Sequence, residues 1–348
     1  MKNCNVLVYG GGAVGSIFGW RIAQNSHATV SVVCRSNWNA VRTSGYTLDT
    51  KTWGRGHFFP HQVLKSGSLA KGMPRRKWDY LILATKITDD YASTIADLES
   101  AVSPETTLVA AQNGMDVEVP LAQAFRNNTI LSAVCSIGCT QVSPGRIEQT
   151  ASMKRSAFLI GAYDPSGSAD IRKRDTLSAM DDQFESVDGI EQERWRKLVI
   201  NATWNSVTAL MGKNTHQVLE EPGAAELMSQ IAREAHSVAS ASGVSLDNDL
   251  PVQVIEVAKN SAPFTPSTLQ DLRNSRPLEL APIFGYLILQ ARRVGLPVPY
   301  LTWVHELLQQ RNSQIVERTA PHEPSWGGSP SVVDLLAQEA PPTPSAVA

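Results

Sequence analysis

Cysteine is scarce, at four in 348 residues, and Cys4, Cys34, Cys135 and Cys139 form no C-x-x-C pair. That argues against a disulfide scaffold and predicts reduced, buried thiols. The seven histidines are scattered without metal-ligand spacing, so no metal is expected. Charge of one sign is also missing: 31 basic against 33 acidic residues leave a net −2, which gives no reason to expect nucleic acid or an anionic membrane as partner. No apolar run approaches membrane-spanning length. Nothing at the N-terminus resembles a signal peptide, because a strand-like apolar run begins almost at once, and a cytoplasmic protein is expected. What remains is a globular composition, 42% hydrophobic and 18% charged, in a chain long enough to suggest two domains.

The chain is organised around Val6-Leu7-Val8-Tyr9-Gly10-Gly11-Gly12-Ala13-Val14-Gly15. Val6 to Tyr9 lacks polar alternation and reads as a buried central strand. Gly10, Gly12 and Gly15 stand at G-x-G-x-x-G spacing: a tight turn, a close approach for phosphate, and close packing of helix on strand. The helix from Ala13 to about Asn25 would then turn its first free N–H groups toward a diphosphate. A second β-branched strand, Thr29 to Cys34, ends in Arg35-Ser36-Asn37. Arg35 stands where the ribose of a dinucleotide should lie, and an arginine there suits a 2′-phosphate, so NADP(H) is expected over NAD(H). An exposed arginine closing a strand is the plainer alternative.

Further buried strands end in Thr85-Lys86 and in Gln112-Asn113-Gly114, at the edge where doubly wound sheets bind ligands. Lys86 suits either a ligand or a solvated helix start. Asn113 suits either an ordinary Asn-Gly turn or a hydrogen bond to nicotinamide or substrate. Strand and helix alternate to about Asp188, the pattern of an α/β domain, and from Gly189 onward the patterns are helical only. The fold expected is α/β, an N-terminal Rossmann-type dinucleotide-binding domain (1–188) followed by an all-helical C-terminal domain (189–320). Residues 321–348, rich in Pro, Ser, Gly and Ala, read as a disordered tail.

In the first helix of the second domain, Lys197, Asn201 and Asn205 fall at i, i+4 and i+8. They share about 80° of one face along about 12 Å, among apolar neighbours. Asparagine is a poor helix former, so the stripe points to a ligand or a polar partner, with a solvent-facing stripe as the alternative. A second polar set runs from Ser267 to Glu279, where helix capping competes with ligand contact for both residues.

These marks in this order resemble the ketopantoate reductase (2-dehydropantoate 2-reductase) family from about residue 4 to residue 313: Gly10-Gly11-Gly12-Ala13-Val14-Gly15, Thr85-Lys86, Gln112-Asn113-Gly114, Lys197 with Asn201 and Asn205, and Ser267-Thr268-Leu269-Gln270-Asp271 followed by Glu279. The resemblance implies a cytoplasmic NADPH-dependent oxidoreductase that reduces a 2-keto acid, 2-dehydropantoate to pantoate, on the way to pantothenate. By the same resemblance Lys197 is the general acid and Glu279 its catalytic partner. Asn113, Asn201, Asn205 and Ser267 orient substrate, and the glycine loop with Ala13, Val14, Arg35, Lys86 and Asn113 serves the cofactor. Two positions depart from the family pattern, Ala281 in place of an aspartate and Thr215 in place of an asparagine, with Asn214 beside it. They leave open a related reductase acting on another ketone, and a non-catalytic NADP(H) sensor is a further alternative. A homodimer through the second domain is also open.

Overall fold

The computed structural model describes residues 3–67, 69, 77–87, 91–150, 156–164, 167 and 169–319. The expected tail at 321–348 lies outside them. The chain divides into two compact units, one of residues up to Glu193 and one of residues from Arg194.

The first unit begins with β1 (Cys4–Tyr9), α1 (Ala13–Ile22), β2 (Ala28–Cys34), α2 (Trp38–Ser44), β3 (Tyr46–Thr50), β4 (Gly54–Phe58) and β5 (Val63–Lys65). It continues through β6 (Tyr80–Leu83), α3 (Tyr91–Leu98), β7 (Thr107–Ala110), α4 (Val119–Ala124) and β8 (Ile130–Cys135). Then come β9 (Cys139–Ser143), β10 (Arg146–Gln149), β11 (Phe158–Ala162), α5 (Ile171–Ser178) and β12 (Phe184–Ser186). Eight strands make one sheet in the order β12-β11-β8-β7-β6-β1-β2-β5. Every neighbour pair in it is parallel except β11 with β8. β1, β6 and β7 carry unbroken apolar stretches because helices and loops cover both faces of a parallel sheet. Val6, Val8 and Ile82 pack into one core cluster, and Leu7, Tyr9, Leu81 and Leu83 into another.

The chain runs outward from β1 to β2 and β5, then returns to place β6 on the other side of β1. That reversal is the topological switch point, and it opens a crevice at the carboxyl ends of β1 and β6, where such sheets take ligands. α1 ends at Ile22, one turn before the expected Asn25, and the backbone N–H groups of Gln24 and Asn25 close the turn that follows.

A second sheet, β4-β3-β10-β9, was not expected from the sequence. β3 pairs antiparallel with β4 and parallel with β10, so its two flanks come from distant parts of the chain.

The second unit holds most of α6 (Ile190–Met211), then α7 (Thr215–Leu219), α8 (Ala224–Ala241), α9 (Leu250–Lys259) and α10 (Ser267–Arg273). A π-helical turn, Ala281–Gly285, runs into α11 (Tyr286–Val294), and α12 (Pro299–Thr319) follows. α8 buries Leu227, Met228, Ile231, Ala232, Ala235, Val238 and Ala239 along one stripe, the i, i+3/i+4 spacing of an amphipathic helix. Its Glu234 accepts the first backbone N–H groups of α12, from Tyr300 (3.0 Å) and Leu301 (2.8 Å). Burial holds that carboxyl above its ordinary range, and those two bonds draw it down only in part. Among the described residues no helix is long and apolar enough to cross a membrane.

Candidate functional site

In the first unit the glycine loop divides the labour among its residues as its spacing suggests. Gly10 has φ of +115°, and a Cβ there would come within 2.7 Å of the Ala84 carbonyl carbon at the end of β6. A Cβ on Gly15 would strike the Gly10 carbonyl oxygen, which is how α1 seats so closely on β1. Gly12 is different: a Cβ there would meet nothing within 4 Å. Gly12 caps the N-terminus of α1, so this open space lies where the helix's unpaired first N–H groups gather. Space, donors and dipole together fit a dinucleotide diphosphate.

Main-chain groups of Gly10 and Gly11 are held from within the unit. The N–H groups of Gly10 (3.2 Å) and Gly11 (2.9 Å) both donate to the carbonyl of Val33. The Gly11 carbonyl accepts from Asn37 Nδ2 (2.6 Å) and from the Tyr46 hydroxyl (3.0 Å). Asn37 also donates to Gln141 Oε1 on β9 (2.9 Å). None of Asn37, Tyr46 and Gln141 was singled out by sequence reasoning. Asn37 and Tyr46 meet a backbone carbonyl and Gln141 meets Asn37, contacts that leave no spacing signal.

Arg35 is exposed at the carboxyl end of β2. The Tyr9 phenol, at the end of β1, donates to Asp97 Oδ2 (2.7 Å), which also accepts the N–H of Gly67 (2.9 Å). Burial pushes that phenol up to about 12, with Arg35 pulling weakly the other way. Lys86 and Asn113 are both half-buried, beyond the ends of β6 and β7. Those two strand ends are tied together, since Gln112 Nε2 donates to Thr85 Oγ1 (3.3 Å) and takes the Tyr91 hydroxyl on its Oε1 (3.0 Å).

In the second unit Lys197, Asn201 and Asn205 all lie on α6, which is helical through all three. The solvent-facing alternative does not hold for Asn205, which is 4% exposed, while Lys197 and Asn201 are half-buried. Asn205 Nδ2 is buried without a hydrogen-bond partner. Its polar neighbours on the same helix look after themselves: Thr203 donates to Val199 O, Ser206 to Ala202 O and Thr208 to Trp204 O. A buried orphan donor costs about 1–3 kcal/mol, so Asn205 fits a group supplied from outside the chain.

Ser267 is the first residue of α10. Pro266 stands at the N-cap, so the capping role considered for Ser267 falls away. Pro266 takes it because its fixed φ near −59° suits the entry to the helix. Glu279 is 7% exposed and lies two residues before the π-helical turn, with Leu280 as that turn's N-cap. Thr215 is fully buried, and its Oγ1 accepts the N–H of Phe264 (3.2 Å). Among the described residues no cluster of His, Cys, Asp and Glu is suited to hold a metal ion.

Residues 6–165 match the family described as ketopantoate reductase PanE/ApbA, and residues 189–312 match its C-terminal part. An uncharacterized protein of Saccharomyces cerevisiae is 27% identical over 341 residues, spanning 90% of this chain and 95% of that one. The crystal structure of 2-dehydropantoate 2-reductase from Methylococcus capsulatus is 29% identical with a TM-score of 0.75, covering 92% of this chain and 98% of that one. The ternary structure of D-mandelate dehydrogenase with NADH and anilino(oxo)acetate shares the fold at 18% identity and a TM-score of 0.72, covering 90% of this chain and 99% of that one.

Proposed function

The chain belongs to the ketopantoate reductase PanE/ApbA family, whose members are oxidoreductases acting on CH–OH/C=O groups, and from that premise we propose that it reduces 2-dehydropantoate to pantoate with NADPH in the cytoplasm. The observation that carries the reading is the open space around the Cβ position of Gly12 at the start of α1, which fits the nucleotide's diphosphate. Arg35, exposed at the end of β2, supports the choice of the 2′-phosphorylated form. When bound, the nicotinamide supplies the hydride, and the protein supplies placement and the proton.

Hydride addition to a ketone builds negative charge on its oxygen. The Lys197 ammonium hydrogen-bonds that oxygen, offsets the charge and gives it a proton. Asn201, one turn along α6, and Asn205, two turns along, hold the substrate's polar groups, and the orphan Nδ2 of Asn205 gains a partner there. Glu279, buried at the entry to the π-helical turn, orients the ammonium and contacts the hydroxyl side of the substrate. Ser267 and Asn113 complete the set of substrate contacts, while Gly10, Gly11, Gly12, Ala13, Val14, Gly15 and Lys86 serve the nucleotide.

NADPH oxidation by the purified protein with 2-dehydropantoate tests this, run beside NADH and beside Lys197→Ala. Turnover that prefers NADPH and falls by about 100-fold or more in the variant is the expected result. NADPH binding without turnover would redirect the reading to another 2-keto acid. That second reading has its own observation: the Thr215 hydroxyl is taken up by the Phe264 backbone, so a substrate that asks less of this position suits the chain. A panel of 2-keto acids separates the two.

A further inference from the structure

We propose that Asn37 and Tyr46 are positioning residues for the nucleotide diphosphate, acting through the carbonyl of Gly11. This rests on the nicotinamide-nucleotide reading of the glycine loop and deepens it. The Gly11 carbonyl and the Gly12 N–H belong to one peptide unit, which is planar and trans, so the two point in opposite directions. Whatever draws the carbonyl inward therefore turns the N–H outward. Two buried donors draw it inward, Asn37 Nδ2 at 2.6 Å and the Tyr46 hydroxyl at 3.0 Å. The Gly12 N–H is thereby turned away from Asn37 and Tyr46, on the residue whose Cβ position is open.

Both donors are themselves aimed. Asn37 is 5% exposed at the N-cap of α2, and its amide is shared with Gln141 Oε1 on β9. Tyr46 is fully buried as the first residue of β3, and its ring stacks on Phe58 of β4 with centroids 5.8 Å apart. Because Tyr46 donates to Gly11, the neighbouring Cys34 thiol (3.3 Å) donates to the Tyr46 oxygen, giving a three-member relay that ends on the loop. Burial raises both the thiol and the phenol above their ordinary ranges, so the relay keeps its protons throughout the neutral range. No side chain fits on Gly11, because Tyr46, Cys34 and Val32 fill the space a Cβ would take. The second sheet thus reaches into the nucleotide loop through Tyr46 and Gln141, although it contributes no strand to the main sheet.

The test uses the full-length protein freed of nucleotide. Tyr46→Phe removes one donor without changing ring volume, and Asn37→Ala removes the other. Dissociation constants are measured by quenching of protein fluorescence for NADPH and for 2′-phospho-ADP-ribose, and by competition for adenosine 2′-monophosphate, which lacks the diphosphate. The expected result is about a fivefold weakening of the first two ligands in each single variant, with the third unchanged. KM for NADPH rises in step, while kcat at saturating NADPH and KM for the keto acid stay within about twofold. Equal binding of NADPH by wild type and variants overturns the clamp. So does a parallel decline of every ligand and of kcat, which marks a structural role only. If Asn37→Ala fails to fold, Tyr46→Phe decides alone. If the wild type binds neither NADPH nor NADH, the nucleotide reading falls and the clamp with it; a wild type that binds beside variants that bind as well removes the clamp only.

Discussion

A single added methyl group separates what two glycines of the loop do. At Gly12 a Cβ meets no protein atom, so Gly12→Ala is expected to melt within a degree or two of wild type while NADPH binding weakens at least tenfold. At Gly15 the same methyl strikes the Gly10 carbonyl, so Gly15→Ala is expected to lower the melting temperature of the nucleotide-free protein. Paired thermal melts with and without NADPH check both. Asn205 makes the opposite trade. Asn205→Leu removes an orphan donor from a buried site and is expected to stabilise the protein by about 1 kcal/mol in urea unfolding while turnover falls sharply. Loss of stability would mean that the amide is satisfied within the fold. Gly12 and Asn205 were both legible in the sequence, one by motif spacing and the other as a poor helix former among apolar residues. Asn37 and Tyr46 were not, because hydrogen bonds to a main-chain carbonyl demand no particular partner residue.

At the scale of elements, strands β1, β6 and β7 were legible because burial on both faces leaves an unbroken apolar run. β4 was not: Gly54-Arg55-Gly56-His57-Phe58 has no alternation, and it is a strand because β3 beside it supplies the ladder. The π-helical turn at Ala281–Gly285 was equally hidden, since one widened turn leaves a helical pattern nearly intact. Phe284 of that turn stacks on His305 of α12, with ring centroids 6.3 Å apart and 24° between planes. Burial lowers the His305 pKa from its ordinary 6.5, with Glu306 pulling weakly upward. The unfolded chain therefore binds more protons than the native one just below that value, and stability falls as pH drops through 6.5 toward the lowered folded value. Urea midpoints across that window should flatten in His305→Phe. An unchanged slope would assign the acid sensitivity to other groups.

At the scale of the whole molecule, the alternation of strand and helix was enough to anticipate a doubly wound sheet, and the switch point between β1 and β6 follows from its strand order. The second sheet could not be anticipated, because its central pairing joins Thr47 to Arg146 and no local pattern announces so distant a partner. That pairing sets an order of events during synthesis. β1, α1 and β2 leave the ribosome before β3 and β4, which can close as a hairpin at once, but Gln141 and β10 arrive only after β5 to β8 have been made. A nascent chain halted before Gln141 would hold its glycine loop complete in sequence yet without the far side of its brace, so the clamp on the nucleotide loop is acquired late, when the ribosome has already passed the strands that carry the loop.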